Sequence, residues 1–193
     1  MYLLVKRAND AFYAALGLML FSPVFLLIAI AIKLDTKGTV FFKQKRVGIN
    51  KTTFNMWKFR TMQNDAPHDL ATHLLREEAM WITRTGRFLR RCSLDELPQL
   101  LNILKGDMSF VGPRPALWNQ YDLIQERDHY QANNVPVGLT GWAQVNGREL
   151  LSIEEKARLD GEYAKKISFF LDLRCLMKTI PVVVMKRRPR LYA

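Results

Sequence analysis

The sequence predicts an α/β fold, mainly helical, in which an N-terminal membrane-inserted helical segment and amphipathic interfacial helices surround a small domain. Three observations predict it. The stretch from Ala11 to Ile32 has no charged residue; Val40-Phe41-Phe42 and Thr52 to Trp57 are β-rich runs around a Gly48-Ile49-Asn50 turn; and apolar residues recur at helical spacing in three later segments. At 193 residues, one compact domain is expected rather than two.

At about 1.5 Å per residue the uncharged run matches a hydrocarbon core of about 30 Å. A signal peptide fits poorly, although Lys6 and Arg7 precede the run and Ala29-Ile30-Ala31 has a small-x-small pattern, because the run exceeds the usual apolar region of about 7 to 15 residues. Two membrane readings stay open. Proline is tolerated in a spanning helix, so a straight span is one. Against it, Ser22-Pro23 interrupts the run near its midpoint, and Lys6 and Arg7 before it and Lys33 and Lys37 after it ask for the same side of the membrane. A re-entrant hairpin with limbs of about 11 residues satisfies both features.

From Lys33 to Arg60 the chain carries eight lysines or arginines and one acid, Asp35. This fits the overall charge: 29 Lys+Arg against 18 Asp+Glu, net +11, which favours anionic headgroups or phosphorylated ligands. Lys43, Lys45, Arg46 and Lys51 read as a solvated basic face. Asn64 to Trp81 reads as a helix with His68 and His73 at its surface. Cys92 and Cys175 lack metal-ligand spacing, and with three histidines make no zinc site.

The stretch Ser93-Leu94-Asp95-Glu96-Leu97-Pro98-Gln99-Leu100 sets two adjacent carboxylates between an arginine run and an apolar helix. Ser93 and Glu96 have capping-box spacing, whereas starting the helix at Asp95 puts Pro98 in the first turn. Arg84, Arg87, Arg90 and Arg91 precede the pair and Arg114 follows it in Val111-Gly112-Pro113-Arg114-Pro115. Cations beside free helix amides suit a phosphate, and a carboxylate there has nucleophilic chemistry open to it. Leu97 to Leu104 forms an apolar face ending at Lys105-Gly106. Tyr121 to Tyr130 reads as an exposed polar helix, and Gly138 to Arg148 as a glycine-bearing loop without dinucleotide or P-loop spacing. Ile153 to Ala164 is a charged helix, Ile167 to Ile180 an apolar one broken by Asp172 and Arg174, and Lys186 to Arg190 a basic tail.

The octet, together with Lys58-Phe59-Arg60-Thr61-Met62, Val111 to Pro115 and Gly138 to Arg148, resembles the bacterial sugar transferases, and more narrowly the short monotopic polyprenol-phosphate phosphoglycosyl transferases. The likeness runs in order from the first apolar segment to about Lys178. It implies a re-entrant membrane hairpin over residues 1–35, a cytoplasmic catalytic domain over 36–185 and a basic tail over 186–193. It places the enzyme on the cytoplasmic face of a bacterial inner membrane. The implied reaction moves a phosphosugar from a UDP-sugar to polyprenol (undecaprenyl) phosphate, releasing UMP, with Asp95 as nucleophile and Mg²⁺ contact and Glu96 as its catalytic partner. Lys58, Arg60, Arg90, Arg114, Gln144, Arg148 and Asp172 are the implied substrate-binding residues. The partners are the two substrates and an anionic phospholipid membrane, with a homodimer admitted and no nucleic acid. An N-acetylated hexose or a deoxy derivative is the sugar expected from short members, with glucose or galactose as alternatives. Two rivals share these features: a phosphohydrolase of nucleotide-sugars with water as acceptor, and a basic membrane-anchored binding protein.

Overall fold

In a computed structural model the chain is mainly helical, and the structure describes residues 2–66, 78–147 and 150–185. Helices α1 (Tyr2–Leu20) and α2 (Ser22–Asp35) meet at Phe21 with a 60° bend. Pro23 lies in the first turn of α2, where no intrahelical donor is needed. The Ser22 hydroxyl donates to the Met19 carbonyl at 2.8 Å, supplying a partner at the break. No single described helix is long and apolar enough to cross a membrane, whereas the bent pair together meets that test by length and composition. The limbs are longer than expected, 19 and 14 residues, because α1 runs on through its charged N-terminal half.

That half docks on the protein. Lys6, Asp10 and Ala14 form a buried stripe at i, i+4 spacing, and Arg7 donates to the Ile103 and Leu104 carbonyls at 2.8 and 2.7 Å, capping a helix C-terminus with a cation. Leu4, Phe12, Met19 and Leu20 on α1 and Leu26, Leu27 and Leu34 on α2 stay exposed.

The hairpin forms where the alternation placed it, between β1 (Phe41–Val47) and β2 (Thr53–Phe59), joined by a 3-10 turn at Ile49–Lys51. Phe42 faces Lys58, Gln44 faces Met56 and Arg46 faces Phe54, so these six share one side of the ribbon. Asn102, fully buried, clamps β2: its Oδ1 accepts from the Trp57 amide at 2.9 Å while Nδ2 donates to the Asn55 carbonyl at 2.8 Å and to Asp107 at 3.0 Å.

Of the helix expected over 64–81, Glu78–Trp81 (α3) is helical; His68 and His73 lie outside the described residues, as do Arg148 and the basic tail. Helix α4 (Arg84–Cys92) starts at Thr83, whose side chain caps Gly86, and α5 (Gln99–Lys105) stops at Gly106 in the left-handed region, φ 98°. Two stretches read as loops contain a parallel pair, β3 (Ser109–Val111) and β4 (Gly138–Thr140). Close backbone approach explains it: a Cβ on Gly138 would lie 2.1 Å from the Gly112 amide nitrogen, so the contact requires glycine and carries no apolar alternation. Helices α6 (Tyr121–His129), α7 (Trp142–Val145), α8 (Ile153–Lys166) and α9 (Phe169–Met185) complete the fold, α8 opening with a Ser152/Glu155 capping box.

Three apolar clusters hold these parts. Ala14, Met56, Leu100, Ile103, Met108 and Val137 join α1, β2 and α5; Ile28, Ile32, Phe59 and Leu89 join α2, β2 and α4; Val111, Val135, Tyr163 and Cys175 join β3, α8 and α9. Outward from the last, Phe169, Phe170, Leu173, Leu176, Met177 and Ile180 form an exposed apolar face on α9.

Replacing Asn102 by Ala should lower stability by about 2–4 kcal/mol, since it strands the Trp57 amide and the Asn55 carbonyl without partners. Asn102→Asp should not rescue it, because a carboxylate would face the Asn55 carbonyl and Asp107. Denaturant unfolding in detergent micelles measures both; wild-type stability in Asn102→Ala would remove the clamp from the account.

Candidate active site

Ser93 takes the left-handed conformation, φ 56°, and ends α4 by donating its amide to the Arg90 and Leu89 carbonyls. The next three residues, Leu94–Glu96, make one 3-10 turn, and Pro98 directly precedes α5. Neither expected register forms. Ser93 provides no side-chain cap there, and the Glu96 carboxylate turns instead to two cations.

Lys58 Nζ and Arg114 Nη2 both donate to Glu96 Oε1, at 3.2 and 3.0 Å. Lys58 comes from β2 and Arg114 from the segment after β3, so three distant parts of the chain converge on one oxygen. Burial works against ionising Glu96, but Arg114 and Lys58 outweigh it and hold the carboxyl well below the ordinary range. Burial lowers Lys58, with Glu96 acting in the opposite sense, and Lys58 lies within electrostatic reach of both Glu96 and half-buried Asp95.

Arg46 belongs to this group, although it was expected on a solvated basic face. It lies on the same side of the ribbon as Lys58; Nη1 donates to the Pro115 carbonyl at 3.0 Å, Nη2 to Gln44 at 2.5 Å, and Nε is buried without an acceptor. Burial and neighbouring Arg114 lower its guanidinium from the ordinary value, while an arginine stays charged. Strand alternation was the available signal: Lys43 and Lys45 point to the other side, Lys43 lying 4.1 Å from the Trp57 ring centroid. Three cations thus gather with two carboxylates. Arg114 is the accessible member, its side chain 43% exposed against 17% for Lys58 and 23% for Glu96. An incoming phosphate would therefore meet Arg114 readily.

Other site candidates are distributed elsewhere. Arg60 straps the exit of α2, with Nη1 bonding the Lys37 carbonyl and Asn64, each at 2.6 Å, and Nη2 bonding the Thr36 carbonyl and hydroxyl. Arg90 Nε donates to Thr61 Oγ1 at 2.9 Å. Gln144 Nε2 donates to the Leu139 carbonyl at 3.0 Å, and its Oε1 is buried without a donor. Asp172 is buried and accepts from Lys6 Nζ at 2.5 Å, Tyr2 at 2.7 Å and Tyr163 at 2.7 Å. Trp142 packs with Arg174 and Lys178 over its ring at 5.3 and 4.8 Å and its Nε1 donating to Glu162. Arg127, expected on an exposed helix, is instead buried against Asp160.

Among the described residues no group of three or more His, Cys, Asp or Glu side chains gathers to hold a metal ion. Mg²⁺ commonly uses one or two carboxylates together with water and substrate phosphates, so half-buried Asp95 beside a cation cluster whose charge suits a phosphate fits its donor chemistry.

Residues 1–186 match the family model described as bacterial sugar transferase. An uncharacterized sugar transferase, EpsL, of Bacillus subtilis (strain 168) is 44% identical over 183 residues, 94% of this chain and 88% of that one. The UDP-glucose:undecaprenyl-phosphate glucose-1-phosphate transferase of Escherichia coli (strain K12) is 40% identical over 92% of this chain, and the UDP-N-acetylgalactosamine-undecaprenyl-phosphate N-acetylgalactosaminephosphotransferase of Aeromonas hydrophila is 37% identical over 95%. The chain spans 39% and 44% of the length of those two relatives. The chain belongs to the bacterial sugar transferase family.

The Glu96 cluster carries a pH signature. Its depressed carboxyl contributes stability that is fully present above the unfolded value of about 4.3 and is lost as pH falls toward the folded value. In Arg114→Ala the depression shrinks, so the variant should be less stable than wild type near neutrality, with the gap narrowing below about pH 4. Denaturation midpoints of both proteins from pH 7 to pH 3 would show it; a gap independent of pH would mean that Arg114 does not stabilise the charged form.

Proposed function

We propose that this protein transfers a phosphosugar from a UDP-sugar to polyprenol (undecaprenyl) phosphate at the cytoplasmic face of a bacterial inner membrane. The observation that carries the reading is the Asp95-Glu96 turn with Lys58, Arg114 and Arg46 gathered around it, in a chain with exposed apolar faces on α1, α2 and α9. The named activities of the relatives support the same donor and acceptor classes. One substrate is soluble and the other is confined to lipid, so a basic site beside a lipid-seeking surface suits both.

In the proposed mechanism an Asp95 carboxylate oxygen attacks the sugar-bearing phosphorus, forming an aspartyl phosphosugar as the bond to UMP breaks. UMP leaves with the bonding electron pair. An oxygen of the lipid phosphate then attacks the same phosphorus, and the carboxylate of Asp95 is released. Arg114, Lys58 and Arg46 offset the negative charge that otherwise repels a carboxylate from a pyrophosphate. Glu96 holds Lys58 and Arg114 in place. Mg²⁺, held by Asp95 and substrate phosphates, would supply further charge neutralisation. Arg90, Gln144, Arg148, Arg60 and Asp172 enter the reading as supporting residues of the donor site and its frame. Water in place of the lipid would yield free sugar phosphate; the exposed apolar faces favour the lipid acceptor.

We also propose that α1 and α2 form a re-entrant hairpin that leaves the membrane on the side it entered. Its support is the 60° bend, the Ser22 contact with Met19, and the docking of Lys6, Arg7 and Asp10 on the protein. Residues 1–35 are then the membrane part, 36–185 the catalytic domain and 186–193 a basic tail at the anionic lipid surface.

Asp95→Asn should abolish release of UMP from UDP-sugars in the presence of undecaprenyl phosphate while leaving the fold intact, and Glu96→Gln should be severely impaired. Wild-type protein given donor but no acceptor should gain the mass of a phosphosugar at Asp95. Substantial turnover by Asp95→Asn would end the covalent scheme. For topology, Cys92 and Cys175 are first replaced, and single cysteines at Tyr2 and Lys37 are probed in intact cells with an impermeant thiol reagent. Both should be shielded until the membrane is permeabilised; labelling at position 2 alone would establish a straight span.

A further inference from the structure

Among the described residues, a buried ion pair on α6 and α8 lies outside the acidic turn. Arg127 on α6 and Asp160 on α8 are both more than nine-tenths buried, and Arg127 Nε and Nη2 donate to Asp160 Oδ2 at 2.9 and 2.6 Å. Such a pair adds little net stability over an apolar replacement, because desolvating both charges offsets their attraction. The same Nη2 also donates to the carbonyl of Arg114, at 3.0 Å.

That third contact is one of several on the carbonyls of this segment, the Pro113 carbonyl accepting from the Gly138 amide at 2.8 Å. Pro113 and Pro115 flank Arg114 and offer no amide donors, so the segment is gripped through its carbonyls. Arg127 takes the carbonyl of Arg114, Arg46 that of Pro115 at 3.0 Å, and the Val47 amide that of Ala116 at 2.9 Å. Pro115 already restricts the preceding residue to extended conformations, and a bond to the Arg114 carbonyl fixes the remaining rotation. The direction of its Cα–Cβ bond is thereby set, and with it the reach of the guanidinium to Glu96. The two helices approach closely at this level, since a Cβ on Gly161, next to Asp160, would lie 2.4 Å from Tyr130 Cβ.

We propose that the Arg127–Asp160 pair is a positioning device for Arg114, holding its backbone so that the guanidinium serves Glu96 and the donor phosphate together. The inference rests on the reading of Arg114 as a donor-phosphate contact. Arg127 and Asp160 act through the Arg114 carbonyl and touch no reacting atom.

The paired variant Arg127→Met/Asp160→Leu removes both charges together, so no buried charge is left alone. It should raise KM for the UDP-sugar roughly tenfold to a hundredfold, the scale of a misplaced binding group, with KM for polyprenol phosphate unchanged. In an Arg114→Ala background the same paired change should have no further effect on donor KM. A readout without turnover accompanies these: the dissociation constant for UDP, measured by calorimetry, should rise by a similar factor in the paired variant. Arg127→Lys, which keeps a charge for Asp160 but loses the planar fork, should move both readouts the same way if the paired variant does not fold. Additive effects in the Arg114→Ala background, or an unchanged UDP affinity in the paired variant, would overturn the proposal. Failure of the wild type to transfer phosphosugar would instead count against the proposed function, and the UDP affinities would still decide the positioning role.

Discussion

The Asp172 carboxylate is the contact on which the assembly of the chain depends. It sits on α9, binds Lys6 and Tyr2 of α1, and meets the hydroxyl of Tyr163 on α8, which lies 3.0 Å from the Val111 carbonyl at the end of β3. Both ends of the described chain are thus tied to the strand that leads into Arg114. A buried carboxylate is tolerable only when several donors replace its water, and here an ammonium and two phenols do so. Removing one donor would leave an undercompensated charge among Val111, Val135 and Cys175, which is why the connection is specific rather than merely adhesive.

The same rule shapes the acidic turn. Glu96 keeps its charge because Lys58 and Arg114 share one of its oxygens, and each cation is carried by an element held elsewhere. Asn102 holds the β2 backbone one residue before Lys58, while Arg46 grips the carbonyl one residue after Arg114. The site consequently needs the hairpin, α5 and the proline-flanked segment in their relative places. Side chains bound to backbone carbonyls and amides add to the strand pairing in fixing those places.

Charge and apolar surface divide the molecule in a corresponding way. Exposed Leu, Met and Phe side chains lie along the outer faces of α1, α2 and α9, and lysines and arginines mark the hairpin and the flank of α9 over Trp142. Exposed apolar area on this scale is unusual for a protein surrounded only by water. The bend at Phe21 sets α1 and α2 at different angles, so α1 can follow the protein with one face while carrying apolar residues on the other.

Local chemistry in the sequence determined the β-hairpin, the stop at Gly106 and the charged helix from Ile153, because alternation and glycine act within a few residues, and it marked Ser22-Pro23 as an interruption whose 60° bend the tertiary structure decided. It also determined that Asp95, Glu96, Lys58 and Arg114 belong together, through motifs in order along nearly the whole chain. Tertiary structure decided what local pattern does not encode. Ser93 ends one helix instead of opening the next because Glu96 finds stronger partners in Lys58 and Arg114 than in a backbone amide. Arg46 parts from Lys43 and Lys45 by strand alternation, but only the fold brings it beside Arg114. Arg127 and Asp160 read as ordinary surface charges on polar helices; their burial depends on the approach of α6 to α8 and on the carbonyl of Arg114. The parallel contact at Gly138 arises from backbone proximity alone, which leaves no side-chain pattern to read.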